Sequence, residues 1–597
     1  MPRAPARLCR AYLAHCCVRT LLCFTNMYFG LQTGWVTMGS IQCAVVGYAI
    51  FQVPIFAPGP NRRRFNALEN VVVQTVGVAT ATMPLAGGFV GIIPALRMLD
   101  PPIELSVVEQ LLWGAALTYF GIFFAVPLRR QTILVEELAF PSGTATAKLI
   151  ETLHAKHDKT GGPSGTAEVE VARRWRTLGL SFAASFFLAS TGFLFPRLAN
   201  IDVGALVGLP HLKTWHWTLR PSLSYIGQGM IMRQRPAFSM MGGALIAWAF
   251  LGPMARREGW ATGPLDSWED GVQGWLLWVA LGLMLAEALT SFGLILLQQL
   301  MPLVDRRDSD VLRRPDQLEP APPPERVPTV WWSSGLVASI CLSVAVISPM
   351  FGLPLGQMIL AVTMSCLIAV LAVRALGQTD LNPVSTVGKL SQLVFAFIAP
   401  GHIVANIVAG ALAEAGATQA GDLLQDLKTG HLLGASPRAQ FFGQLIGATA
   451  SVFVTVGAFQ LYDHAYGVPS AQFTAPVAHV WKDMAILMGK GSSALPESSL
   501  DFAAGFAVIG ALLPLVEHFD VLRYYVGHLM PSGIAFGVGM YLTPDWTIPR
   551  VVGAIVELVW RRRSPLSHQN DMLMVASGFV LGEGVWSIAH LVLKALL

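Results

Sequence analysis

The sequence predicts an all-α, polytopic integral membrane protein of roughly 14–16 spanning helices, built from inverted-repeat halves with broken or re-entrant segments. Three observations lead there. The 597 residues are 53% apolar and only 13% charged, with a mean hydropathy of +0.55, whereas soluble domains carry about 25% charged residues. Apolar runs of membrane-crossing length recur along the whole chain. Several of these runs are interrupted by Gly, Pro or ionisable residues, which lipid tolerates only where protein or water receives the freed backbone groups.

The runs fall at 34–54, 70–98, 106–127, 176–196, 237–255, 272–302, 331–350, 353–376, 384–413, 439–461, 503–519, 527–542, 546–560 and 571–596. They are too long and too evenly apolar for barrel strands. No soluble domain separates from them. Two polar stretches read as solvated linkers: 154–174, which holds His154 and His157, and 303–329, which carries five Arg against six acidic residues and is Pro-rich. The second divides the chain into an N-terminal half (1–302), a linker (303–330) and a C-terminal half (331–597). Clusters at Arg62–Arg64, Arg129–Arg130, Arg173–Arg176 and Arg561–Arg563 are expected on the cytoplasmic face. The first 25 residues carry Arg3, Arg7, Arg10 and Arg19 among apolar residues and read as a poor first helix or the remnant of a longer N-terminus.

Several function classes are set aside at this stage. A net charge of +4, scattered along the chain, gives no nucleic-acid surface. The seven cysteines show no paired metal-ligand spacing and read as buried thiols. No phosphate-binding Gly-Lys-Ser/Thr loop and no His-Glu-x-x-His motif occurs, so neither an ATP motor, nor an enzyme, nor a resident cofactor or metal is expected. An ion gradient is the expected energy source.

Chemistry is expected where apolar runs are broken. In 26–34 two glycines accompany Asn26 and Tyr28, which makes a turn or a substrate-lining bend. Glu69 opens a strong helix that carries Gln74. It either complements the helix dipole or titrates as a coupling carboxylate. Glu136 and Glu137 lead into Pro141-Ser142-Gly143-Thr144, a helix-breaking stretch of small residues, and a similar Pro-Ser-Gly-x-Ala recurs at 531–535. Two such breaks, one in each half, fit an inverted-repeat transporter. Asp380 and Asn382 precede a helix bearing Lys389. The stretch 414–430 then gathers Glu414, Asp422, Asp426 and Lys428, with the two aspartates four residues apart and so on one helix face. That stretch reads as an exposed amphipathic loop or as the wall of a polar cavity or gate. Glu583 lies between two glycines inside the last span and must meet a partner or water.

The stretches NMYFGLQTGW (26–35), ENVVVQTVG (69–77), FPSGTATA (140–147), SYIGQGMIM (224–232), DLNPVSTVGKLSQLVFAFIAPG (380–401), EAGATQAGDLLQDLKTGHLLGASPRAQF (414–441), PSGIAFGVGMY (531–541) and SGFVLGEGV (577–585) together resemble the oligopeptide transporter family, in particular its yellow stripe-like branch and fungal members. The resemblance covers nearly the whole chain. It implies about 16 spans in repeated halves and proton-coupled uptake of small peptides or of metal chelates. The region before Asn26 departs from the family pattern, in which a full apolar helix precedes that stretch.

A peptide zwitterion requires both signs of charge. Glu69, Glu137, Asp422, Asp426 and Glu583 are the candidates for proton coupling or for meeting an amine. Lys389 and Lys428 are the candidates for a carboxylate, with the helix start at Ser142, Gly143 and Thr144. Asn26, Tyr28, Gln74 and Asn382 are the neutral hydrogen-bonding candidates. The alternative cargo is a siderophore- or nicotianamine-like metal chelate, and the alternative of another class is a membrane scaffold that does not transport. No retention or lipidation motif is present, which leaves the plasma membrane as the expected location and a vacuolar or other internal membrane as the alternative. The expected partners are the cargo, protons and the bilayer.

Overall fold

The computed structural model describes residues 4–52, 65–154, 165–195, 200–206, 208–209, 211–232, 234–305, 319–379, 384–490, 496, 498–518 and 530–596. The described residues are helical almost throughout and contain no strand beyond one isolated bridge between Ile201 and Leu219. In chain order the principal helices are α1 (Ala4–Thr33), α2 (Ser40–Gln52), α3 (Ala67–Ala81), α4 (Val107–Thr118), α5 (Phe120–Arg129), α6 (Pro141–His154), α7 (Gly165–Leu194), α8 (Leu223–Met232), α9 (Gln234–Ala244), α10 (Val272–Asp305), α11 (Thr329–Phe351), α12 (Leu355–Thr379), α13 (Val384–Ile398), α14 (Ile403–Leu433), α15 (Pro437–Tyr466), α16 (Pro476–Lys490), α17 (Ser499–His518), α18 (Gly533–Tyr541), α19 (Pro544–Arg563) and α20 (Pro565–Leu596). Among the described residues nine helical stretches are long and apolar enough to cross a membrane. Several shorter helices fill runs that read as single spans. The run 70–98, for example, stops at Ala81 and continues as the short helices Met83–Ala86 and Ile92–Arg97, parted by Gly87 and Gly88.

The chain forms two compact units: Met1–Gly162 with Gln299–Gly489, and Pro163–Gln298 with Lys490–Leu597. This division differs from the halves 1–302 and 331–597. Each unit takes one stretch from each half, because the packing partners of an early helix lie hundreds of residues downstream.

In the first unit α14 is the axis. It packs against α3, α5, α6, α12, α13 and α15, and Ala405–Gly430 are buried without interruption. Its Ala, Leu, Gln and Glu content favours helix. Gly410 and Gly416 admit the rings of Trp481 and Phe120 against its backbone. Left-handed Gly434 (φ 73°) closes it. The stretch 414–430 is therefore neither an exposed loop nor a connection between spans. It is the most enclosed part of this unit. The run 384–413 also divides, at the Pro400-Gly401 turn between α13 and α14, where Gly401 has φ 81°.

Two other expectations are corrected here. The stretch 26–33 is not a bend. Helix α1 continues through Arg19, Asn26 and Tyr28 to Thr33, and only Gly34 (φ 75°) turns the chain. His154 is not solvated. It is buried at the end of α6, with its Nε2 3.2 Å from the Asn70 amide nitrogen and its ring edge-on to Tyr48; His157 lies outside the described residues.

In the second unit α7 runs against α20, α8 against α19 and α20, and α9 against α18 and α19. Glycines set these contacts. A Cβ on Gly229 or Gly553 would strike the backbone of the facing helix at Arg550 or Ile226. Such close approach through small residues is how membrane helices gain packing where lipid supplies no hydrophobic drive.

Candidate functional site

The centre of α14 carries the arrangement with the clearest chemical potential. Asp422 and Asp426 are one turn apart and buried. Asp426 Oδ1 accepts a short hydrogen bond from Gln74 Nε2 of α3, while no protein donor among the described residues reaches its Oδ2. Gln440 of α15 donates to the Asp426 backbone carbonyl at 2.6 Å and to Thr75 Oγ1 at 3.3 Å. Neither oxygen of Asp422 has a protein donor among the described residues. The hydroxyl of neighbouring Thr82 donates to Val78 O at 3.1 Å. Buried carboxylates lacking donors carry an uncompensated desolvation cost when charged, so they hold a proton or a cation readily.

Charged groups flank this centre along α14. Toward the N-terminal end, Glu414 lies within electrostatic reach of Lys389 on α13, and both are buried. Toward the C-terminal end, Lys428 and His431 share the neighbourhood of Glu137. Glu137 is exposed, with φ 49°, and Phe140 has φ 41°. These two left-handed residues join a π-helical turn, Arg130–Val135, to α6. Left-handed backbone at residues other than Gly is costly and clusters at working sites. Beside it, Arg129 makes a paired contact with Glu319 at the end of the linker, and Arg374 pairs with Glu136 at 2.6 Å.

The remaining candidates have definite positions. Asn26 is buried, and its amide is fully engaged: Nδ2 donates to Thr37 O at 2.8 Å and Ala81 O at 2.7 Å, and Oδ1 accepts from Thr37 N at 3.2 Å. Tyr28 packs edge-on against Phe473, ring centroids 5.8 Å apart. Ser142 is half-buried. Gly143 lies directly on the α14 backbone at Gln425, and its carbonyl accepts from Thr429 Oγ1 at 2.9 Å. Thr144 Oγ1 donates to Ala139 O at 2.7 Å. Glu69 is exposed and closes a capping box with Asn66, at 3.0 and 2.8 Å. Asn382 lies outside the described residues.

Thus the first unit brings Gln74, Asp422 and Asp426 together at one level of α14, Lys389 to one side and Lys428 with Glu137 to the other. Asn26, Tyr28 and Glu69 sit apart from that centre.

Glu583 belongs to the second unit. It is buried on α20 and accepts from Ser222 Oγ at 2.6 Å. The same unit holds two further polar groups inside an apolar run. Arg550 and Glu557 sit inside the run 546–560, which its neighbours make look plainly apolar. Arg550 donates to Gln228 Oε1 at 3.2 Å and lies 4.7 Å from the Tyr225 ring centroid. Glu557 accepts from Gln234 at 3.0 Å and lies 3.0 Å from His568 Nε2. The rule that flagged Glu583, an ionisable group within a span, finds both. The same rule finds Glu414 in the first unit. Among the described residues no group of three or more His, Cys, Asp or Glu is placed to hold a metal ion.

Nine apolar helical stretches of spanning length among the described residues, with further ionisable side chains enclosed between packed helices, make this a multi-pass integral membrane protein. The chain belongs to the oligopeptide transporter family: the model for "OPT oligopeptide transporter protein" matches residues 9–594. The Saccharomyces cerevisiae protein named "Putative oligopeptide transporter YGL114W" is 34% identical, covering 98% of this chain and 95% of its own length. Two Arabidopsis thaliana relatives are named for another cargo. "Probable metal-nicotianamine transporter YSL8" is 27% identical, over 98% of this chain and 86% of its own. "Metal-nicotianamine transporter YSL2" is 26% identical, over 97% and 91%.

Proposed function

We propose that this protein is a secondary active transporter that carries small oligopeptides across a membrane together with protons, with Asp422 and Asp426 as the coupling carboxylates. The observation that carries the reading is the centre of α14, where two carboxylates one turn apart lie buried with three of their four oxygens lacking a protein donor among the described residues. A proton neutralises such a group at little cost, and its release restores a charge that the surroundings penalise. Two protonation states of unequal stability are what a coupled transporter requires of its core. Lys389 with Glu414, and Lys428 with Glu137, supply both signs of charge on either side of this centre and suit the two ends of a peptide zwitterion. Gln74 links Asp426 to α3 and is the neutral member of the group. Glu583 serves as a further coupling candidate within its own network.

Peptide is favoured as cargo by the name of the fungal relative, at 34% identity over 98% of the chain. A second reading, proton-coupled transport of metal–nicotianamine-like chelates, is favoured by the names of the plant relatives.

The test is uptake of a labelled tetrapeptide into cells expressing the protein, at acidic and at neutral external pH, with and without a protonophore. Acid-stimulated, protonophore-sensitive uptake is expected. Absence of uptake from protein confirmed in the assayed membrane sinks peptide as cargo. Radiolabelled iron or copper uptake with and without nicotianamine then tests the second reading.

A further inference from the structure

A small cavity of about 10 Å³, room for one water-sized occupant, adjoins the α14 centre within the first unit; its polar lining comes from Thr82, Thr118, Gln419, Gln444 and Ser451, and the rest of its wall is apolar. We propose that this cavity, together with Asp422 in its deprotonated state, binds a monovalent alkali cation in competition with the proton. The hydroxyls of this lining commit their protons elsewhere. A hydroxyl has one proton to donate and two lone pairs. Thr118 donates its proton to Gly114 O at 2.6 Å, Ser451 to Ala448 O at 2.6 Å and Thr82 to Val78 O at 3.1 Å. All three protons are therefore directed into the helix backbone, and what remains for the cavity is lone pairs. Gln419 donates its Nε2 to Leu117 O at 3.2 Å, which identifies Oε1 as its other end. The Oε1 atoms of Gln419 and Gln444 have no protein donor among the described residues, and these side chains are only 6% and 2% exposed. Asp422, one turn along α14 from Gln419 and 1% exposed, brings two more oxygens in the same condition beside Thr82.

The polar part of the wall is thus a set of buried acceptors with few donors to match them. A hard cation satisfies many oxygens at once, whereas a water molecule brings only two protons. Neither imidazole nor thiolate lines the cavity, and its acceptors are hydroxyl and amide oxygens, which disfavours transition metals. No Lys, Arg or His lines the cavity. One carboxylate matches one positive charge. A divalent ion would leave a net charge in a low-dielectric interior. Asp426, the nearest other acid, is bonded to Gln74 and faces Cys43 of α2, so it forms a separate locus on the next turn. Lys389 and Glu414 offset each other farther along the axis.

The test is independent of cargo. Thermal unfolding of the purified full-length protein is followed in NaCl, KCl and choline chloride at equal ionic strength, alongside radiolabelled sodium binding. A ligand that binds only the folded state raises the unfolding midpoint saturably. The expected result is a saturable rise in NaCl or KCl over choline chloride that disappears in Asp422→Asn and Gln444→Leu and persists in Asp426→Asn. The asparagine amide at 422 can donate to the neighbouring oxygens, so the midpoint of that variant in choline chloride is expected to equal or exceed the parent's, which shows that loss of the salt effect is not loss of fold. Ser451→Ala, which removes a single lone-pair donor, is expected to weaken half-saturation several-fold. Identical midpoints in the three salts for the parent protein overturn the proposal in favour of a water-filled cavity. A cation effect that survives both Asp422→Asn and Gln444→Leu overturns it as well. Peptide uptake can fail without touching either result.

Discussion

The two units bury the same kinds of side chain and treat them in opposite ways. In the second unit three buried acids are provided with donors. Asp545 accepts from Arg220 at 2.7 and 3.2 Å, Glu557 is held by Gln234 and His568, and Glu583 accepts from Ser222. Arg550 is seated on Gln228 Oε1 and the Trp546 carbonyl. In the first unit Asp422 has no protein donor among the described residues, and Asp426 has a donor on one oxygen only. A satisfied buried network fixes one packing and loses stability when a member is removed. An unsatisfied one retains affinity for whatever supplies positive charge. The difference points to a holding role for Asp545 and Glu557 and a working role for the first unit's aspartates, with Glu583 remaining the second unit's coupling candidate, although composition alone ranks them equally.

The sharpest way to break this comparison is to neutralise one acid of each kind. Asp426→Asn is expected to lower initial uptake by about 100-fold or more, the scale on which a positioned proton carrier acts, with an unfolding midpoint no lower than the parent's, because a costly buried charge is gone. Glu557→Ala is expected to do the reverse. It costs about 3 kcal/mol of stability by stranding His568 and Gln234, while uptake per folded molecule is retained. Uptake and calorimetry on both variants decide. If the two variants lose stability equally, the distinction fails.

A smaller effect is expected where α6 meets α14. A Cβ at Gly143 would lie 2.5 Å from the Gln425 carbonyl oxygen, so Gly143→Ala forces the helices apart at a cost of about 2 kcal/mol. Because the clash falls on Gln425, the residue before Asp426, uptake is expected to fall with stability. The equivalent change at Gly229 in the second unit is expected to lower stability alone.

Glu319 sharpens the comparison at the membrane edge. Burial by itself would raise its carboxyl, but hydrogen bonds from Arg129 and the backbone of Ala321, with Arg326 nearby, hold it below the ordinary glutamate range. A depressed folded-state value means stabilisation that is present above the unfolded-state value, about 4.3, and is lost as pH falls through the folded-state value. Glu319→Gln is therefore expected to weaken the segment from Glu319 to Arg326 by about 1 kcal/mol at neutral pH. The variant and parent should converge in acid. Amide exchange of that segment against pH reads the effect.

Much of this architecture was legible in sequence, for physical reasons that also mark where legibility ends. Spans declare themselves through charge depletion, and the Pro141-Ser142-Gly143 and Pro531-Ser532-Gly533 breaks do open helices. The four-residue spacing of Asp422 and Asp426 correctly placed them on one face. What the pattern around them did not give is burial. A stretch as polar as 414–430 looks solvated until its partners are known, and those partners are Gln74, Gln440 and Gln444, scattered over other helices. Asn26 illustrates the converse. Its residue type suits a ligand, yet its amide is engaged by the Thr37 and Ala81 carbonyls, and only three-dimensional proximity reveals that. The interleaving of the two units is invisible for the same reason, since helix pairing is set by distant complementarity.

Glu69 provides the finest test, because its two possible roles predict different outcomes for one substitution. Its carboxylate accepts from the Asn66 backbone while Asn66 caps the Glu69 nitrogen, and it stands exposed at the rim. Glutamine can occupy that position of a capping box as well as glutamate. If Glu69 only caps α3, Glu69→Gln leaves uptake and its acid stimulation unchanged, and Glu69→Ala costs about 0.5–1 kcal/mol. If Glu69 carries a coupling proton, Glu69→Gln abolishes acid stimulation at unchanged stability. The geometry favours the first outcome: the Glu69 carboxylate is exposed and engaged with the Asn66 backbone, whereas Asp422 is buried with no protein donor among the described residues.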